Sequence, residues 1–122
     1  MRARQANWAE TEWVAIREGL ERKGFNGDNL TVVMHRFGKD GAAPVHSHHH
    51  EQIFLILEGE AEITVDGTVL REGPQGLVHV PSNLPHGIRA TGGKPLIVLE
   101  IFTPSRPDLT GPLEAAAGTR TP

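Results

Sequence analysis

Short apolar runs punctuated by Gly, Pro, Asn and Asp recur along this chain. Residues 13–16 and 20–25 read as short strands, followed by the turn signal Asn26-Gly27-Asp28-Asn29. Residues 30–37 (LTVVMHRF) are rich in β-branched side chains and predict a full strand, and 38–44 predict a loop. Residues 52–57 are apolar at nearly every position, whereas 60–65 alternate with polar ones. Asp66-Gly67 marks a hairpin turn from which 68–70 return. Residues 77–80, 87–90 and 96–102 complete eight or nine short strands at regular spacing, the pattern of a β-sandwich or barrel. No helix of any length is predicted beyond one turn at 113–117. The expected organisation is a polar, loose arm (1–12), one all-β barrel domain (13–108) and a Pro-, Thr- and Gly-rich flexible tail (109–122).

In the runs 52–57 and 96–102 the period of two is lost, as happens when both faces of a strand are buried. One face can fill the barrel, and the other needs a second sheet or a second chain. A homodimer is therefore expected.

Composition narrows the function classes. A chain of 122 residues has room for one domain, and 38% hydrophobic with 22% charged residues is ordinary globular usage. The net charge of −3, with scattered Lys and Arg, argues against nucleic acid as a partner. The absence of cysteine excludes disulfides, zinc ribbons, iron–sulfur clusters and thiol catalysis. No apolar run approaches the roughly 18 residues of a membrane-spanning helix, and the first residues do not read as a secretory signal. A cytoplasmic protein is expected. There is no GxSxG elbow and no glycine-rich phosphate loop.

The anomaly is histidine: seven in all, four of them between residues 45 and 51. In a strand, residues two apart share a face, so His46 and His48 present two imidazoles together and Gln52 keeps their parity. His49 and Glu51 have the opposite parity. Far along the chain, His86 follows a turn at the start of a strand. Three imidazoles and one amide oxygen converging inside a barrel would suit one divalent transition metal per chain: Zn, Ni, Fe, Mn or Cu. The alternative is a solvated histidine loop. His35 and His79 each stand singly in a strand and read as satisfied core or surface histidines. His50 shares the ligand parity and also begins the next strand.

The spacing Gly41-x4-His46-x-His48-x3-Gln52-x6-Gly59 resembles the first motif of the cupins, and Pro81-Ser-Asn-Leu-Pro85-His86-Gly87 resembles the second. The resemblance runs from about residue 30 to 106 and implies a small double-stranded β-helix (jelly-roll) barrel, usually dimeric. It implies metal ligands at His46, His48, Gln52 and His86. Gln52 stands where many cupins have glutamate, and a neutral ligand leaves the ion's charge uncompensated, which favours an anionic substrate. The approach to Pro81 is two residues longer than in the common motif, and Asn83 and Ala90 replace its glycine and asparagine.

Cupins host many chemistries, so function has to come from the rest of the barrel. Glu100 interrupts the apolar run 96–102, and a carboxylate buried there must be paired or bound to something. One reading is an internal ion pair with Arg106. The other is a carboxylate acid/base, an aromatic wall at Phe102 and an anion-binding Arg106 beside the metal. The second resembles the small pectin-degradation cupins, which convert 4,5-unsaturated uronates into linear keto sugars and carry Asp, Phe and Arg near the metal. The matching positions here are Glu100, Phe102 and Arg106, with Glu for Asp. The resemblance implies an enzyme acting on a small carboxylated, sugar-like or dicarbonyl substrate. The alternatives are a metal-dependent dioxygenase and a non-catalytic module that binds a sugar acid or metal.

Overall fold

The computed structural model describes residues 2–110. Ten strands form two antiparallel sheets. They are β1 (Val14–Arg17), β2 (Leu20–Asn26), β3 (Thr31–Phe37), β4 (Ala42–His46), β5 (Glu51–Glu58), β6 (Glu60–Val65), β7 (Thr68–Glu72), β8 (Leu77–Val80), β9 (His86–Thr91) and β10 (Leu96–Thr103). The larger sheet runs β1-β2-β3-β10-β5-β8 and the smaller β4-β9-β6-β7. The two enclose one core as a jelly-roll barrel. Among the described residues, no helix is long and apolar enough to cross a membrane.

One strand was not expected. Ala42–His46 lies in the stretch whose Gly41 and Pro44 suggested a loop, yet it pairs with β9 at the edge of the smaller sheet. An edge strand tolerates proline because one row of its N–H groups has no ladder partner to lose. The expected helical turn at 113–117 lies outside the described residues. A turn of helix, α1 (Pro107–Thr110), forms just before them.

Alternation decides where the site forms. Along β10, Leu96, Val98, Glu100 and Phe102 are buried, while Ile97, Leu99 and Ile101 lie on the outer face. Leu96 and Val98 join Phe37, Phe54, Ile56 and Ile63 in the dry part of the core. Glu100 and Phe102 continue that row into a polar end, with His35 from β3, Gln52 from β5 and His86 from β9.

Both ends of the described residues dock on the larger sheet. Arg4 donates to the Asn26 carbonyl (2.6 Å), the Trp8 indole to that of Gly24 (3.3 Å), and Lys23 to those of Trp8 and Thr11. The arm expected to be loose is thus tied to β2. Leu109 and Thr110, assigned to the tail by composition, also lie on β2. Arg22 donates to the Leu109 carbonyl (2.9 Å) and the Asn26 amide to the Thr110 hydroxyl.

Gly59, between β5 and β6, has φ +84°, and a Cβ there would sit 2.4 Å from the Pro95 carbonyl oxygen. That contact is with backbone and cannot rotate away. Gly59→Ala is expected to lose about 1–3 kcal/mol for the left-handed conformation, plus the clash. A thermal melt should show a midpoint lower by several degrees or more.

Candidate metal centre and its cavity

β4 ends at His46, directly opposite His86 in the β4–β9 register. The chain then leaves the smaller sheet, and His48 lies in the crossing before β5 begins. One ring nitrogen from each of His46, His48 and His86 lies within 4.8 Å of the others. His86 is buried (1% exposed), His48 is half-buried and His46 is open to solvent.

The Nδ1 atoms of these rings are all committed to carbonyl oxygens within two residues. His46 donates to Pro44 (2.9 Å), His48 to His50 (3.0 Å) and His86 to Leu84 (2.9 Å). A carbonyl can only accept, so each Nδ1 carries the proton. Burial pushes the His48 and His86 imidazoles below their ordinary range, with the Arg106 charge acting in the same direction on His48. Their Nε2 atoms are then bare lone pairs.

Gln52 completes the group. It is 2% exposed, and its Oε1 lies 3.1 Å from Nε2 of both His48 and His86. Its amide orientation follows from the other side, where Nε2 donates to Glu100 Oε1 at 2.8 Å. A flipped amide would set its oxygen against a carboxylate. The convergent atoms are therefore all acceptors, an arrangement that a cation would satisfy. A divalent metal fits the donor set. Glu51, by contrast, faces outward and pairs with the exposed His79 at 2.7 Å.

The expected alternative pairing of Glu100 with Arg106 does not form. Glu100 (6% exposed) accepts from His35 Nδ1 at 2.5 Å and from Gln52, so both of its oxygens act as acceptors, as suits a carboxylate. The proton position on His35 is dictated by Arg22, whose Nε–H donates to His35 Nε2 at 2.8 Å. Arg106 instead pairs with Asp108 (2.9 Å), holding that carboxyl below its ordinary range, and lies 5.0 Å over the Phe102 ring. The Arg106 backbone N–H donates to the Thr31 hydroxyl (2.7 Å), fixing the start of the loop.

A cavity of about 150 Å3 opens beside the cluster, with His46, Gln52, Glu100, Phe102 and Arg106 among its lining residues. Sequence reasoning assigned all five to the site. It did not single out Arg17 and Arg22, which line the same cavity, and it set His35 aside as core. The legible signal was parity: His35 shares the buried face of β3 with Val33 and Phe37, so a buried polar residue there needs a buried partner. His50 is half-buried beside His48 (ring centroids 5.4 Å apart) but outside the cluster of three.

Comparison with known proteins agrees with this geometry. The model of the family described as "Cupin domain" matches residues 33–102. No curated protein matches the chain. Among solved structures, KdgF from Halomonas sp. superposes with a TM-score of 0.80 at 25% identity, covering 85% of this chain and 96% of that one. An RmlC-like cupin from Shewanella frigidimarina gives 0.77 at 29%, covering 83% and 90%. A second RmlC-like cupin, from Desulfovibrio desulfuricans, gives 0.65 at 28%, covering 75% and 92%.

Proposed function

The chain belongs to the cupin family, and from that premise we propose that it is a metal-dependent isomerase of a small carboxylated, sugar-like substrate. The observation that carries this reading is the buried carboxylate of Glu100 in the wall of the cavity, one hydrogen bond from the metal cluster. Besides orienting Gln52, a carboxylate in that wall can take up and return a proton.

The reaction class resembles that of the pectin-degradation cupins: ring opening of a 4,5-unsaturated uronate to a linear keto sugar. The hemiacetal hydroxyl loses its proton, the ring C–O bond breaks as that carbon becomes an aldehyde, and the enolate released becomes a ketone when the proton adds to the neighbouring carbon, so the product is an isomer. His46, His48, His86 and Gln52 would hold a divalent metal, which would supply Lewis acidity toward a hydroxyl or carbonyl oxygen. Glu100, ionised and held by His35 and Gln52, takes the hydroxyl proton and returns it to carbon. Arg106 holds the substrate carboxylate, and the Phe102 ring beneath it excludes water from that side. The test is incubation of metal-loaded protein with an unsaturated uronate monosaccharide. Loss of the conjugated chromophore with no change of mass supports isomerisation. An unchanged substrate, or oxygen uptake, refutes it.

We also propose a homodimer through the outer face of the larger sheet. Ile53 and Leu55 of β5 stand in register with Ile101 and Leu99 of β10, and Leu99 in turn with Met34 of β3. Leu77 on β8, opposite Leu55, is 63% exposed. Ile53 (36% exposed) and Leu77 lie on this face, and a second copy would cover them. Light scattering should find a dimer, and Ile53→Lys should convert it to a folded monomer.

A further inference from the structure

The cavity beside the cluster is lined by three guanidinium groups from three separate segments: Arg17 at the end of β1, Arg22 in β2 and Arg106 after β10. Glu100 is the one acid among its described lining residues. The other carboxylates near these arginines are committed. Asp108 takes Arg106, and Glu21 takes two donors of Arg36 at 2.6 and 2.9 Å. Neither Arg17 nor Arg22 forms an ion pair among the described residues.

Both side chains are nevertheless held in place. Arg17 donates from one terminal nitrogen to the Ala42 carbonyl (2.5 Å). Arg22 donates Nε–H to His35 and one terminal nitrogen to the Leu109 carbonyl, which fixes the plane of its guanidinium. Its other terminal nitrogen has no described protein partner. Burial pushes the Arg22 guanidinium below its ordinary range, Arg106 and Arg17 push it the same way, and Glu100 and Asp108 oppose them. Three guanidinium charges thus stand against the two carboxylates of Glu100 and Asp108, which leaves an excess of positive charge. Bringing a divalent metal onto neutral ligands adds to the same excess. An arrangement of that kind is stabilised by an anion, and fixed donors are what a planar anionic group requires.

We propose that Arg17 and Arg22 form a second anion-binding site in this cavity, so that a sugar acid carrying a second anionic group binds more tightly than a simple uronate, with one group on Arg106 and the other on this pair. The inference rests on the reading of the cavity as a substrate site. At about 150 Å3 the space is well below the roughly 300–1,000 Å3 of clefts that take drug-sized ligands. Both groups therefore belong to one compact molecule, a sugar diacid or a phosphorylated sugar acid.

Three six-carbon probes separate these cases: gluconate with one terminal carboxylate, glucarate with two, and 6-phosphogluconate with a carboxylate and a phosphate. Calorimetry on metal-loaded protein, with metal content measured after each titration, should find glucarate or 6-phosphogluconate bound at least tenfold more tightly than gluconate. Whichever wins identifies the second group as carboxylate or phosphate. Arg17→Gln should reduce that preference to less than threefold while leaving gluconate affinity unchanged. Arg22→Gln should do the same if a thermal melt shows it folded. Equal affinities for all three probes, no binding of any, or a preference that survives Arg17→Gln would each overturn the proposal. Metal content and gluconate affinity report on the metal centre and Arg106, and only the ratio reports on the second anion site, so the two readings fail separately.

Discussion

Replacing His86 with alanine should empty the metal centre. Elemental analysis of untagged protein prepared without chelator is expected to give about one divalent ion per chain, and less than about a tenth of that in the variant. The effect is large because His86 is the most buried member of the cluster and its Nε2, like that of His48, faces Gln52 Oε1 with no donor between them. A proton cannot take the cation's place easily, since burial already holds the His48 and His86 imidazoles toward the neutral form. The metal-free wild type is left with lone pairs facing lone pairs, and a chelator should lower its melting midpoint. An ion bound only to the folded state stabilises by mass action, so the chelator should leave the midpoint of His86→Ala nearly unmoved. Metal retained by the variant, or none taken up by the wild type after reloading, would refute the assignment.

How much of this was legible in the sequence depended on whether the relevant contact was local. The strands from residue 52 onward lie where their own apolar runs placed them, and Asp66-Gly67 forms the expected turn with φ +49° and +81°. β4 was missed because Gly41, Ala42, Ala43 and Pro44 carry no strand signal of their own; β9 holds them by pairing. The parity argument for His46 and His48 reached residues that do converge, although His48 lies beyond the strand the argument assumed. What gathers them is the crossing from the smaller sheet to the larger.

Glu100 shows where such reading ends. The apolar run 96–102 marked it as a buried carboxylate, and Arg106, just beyond the strand, offered itself as partner. Its actual partners are 65 and 48 positions away, on the strands flanking β10. The order β3-β10-β5 is a consequence of how the whole barrel closes, and no local spacing encodes it. Arg22 escaped notice for the same reason: it reaches the site only because β2 pairs with β3 in a register that sets it opposite His35.

Glu100→Gln should lower turnover of an unsaturated uronate by about 10²–10⁴-fold, the usual range for loss of a general acid/base. The substitution keeps the shape and removes the charge, and the surrounding donors make it more than a charge deletion. Both neighbours of Glu100 present N–H groups, from His35 Nδ1 and Gln52 Nε2. A glutamine there has one oxygen and one NH2, so one of those donors must face another donor. If the strain falls on Gln52, its amide turns and aims NH2 at the metal, and affinity should drop by about 10–100-fold, as when a group that orients a ligand is lost. If it falls on His35, the proton moves to Nε2 and meets the Nε–H of Arg22, which cannot give way because a guanidinium has only donors. Metal titration and turnover at saturating metal separate the two contributions. Glu100→Asp keeps the charge and both acceptor oxygens, so it should hold metal better than Glu100→Gln even where its shorter reach slows the reaction. Wild-type turnover in Glu100→Gln at saturating metal would remove Glu100 from the chemistry and leave it as the group that orients Gln52.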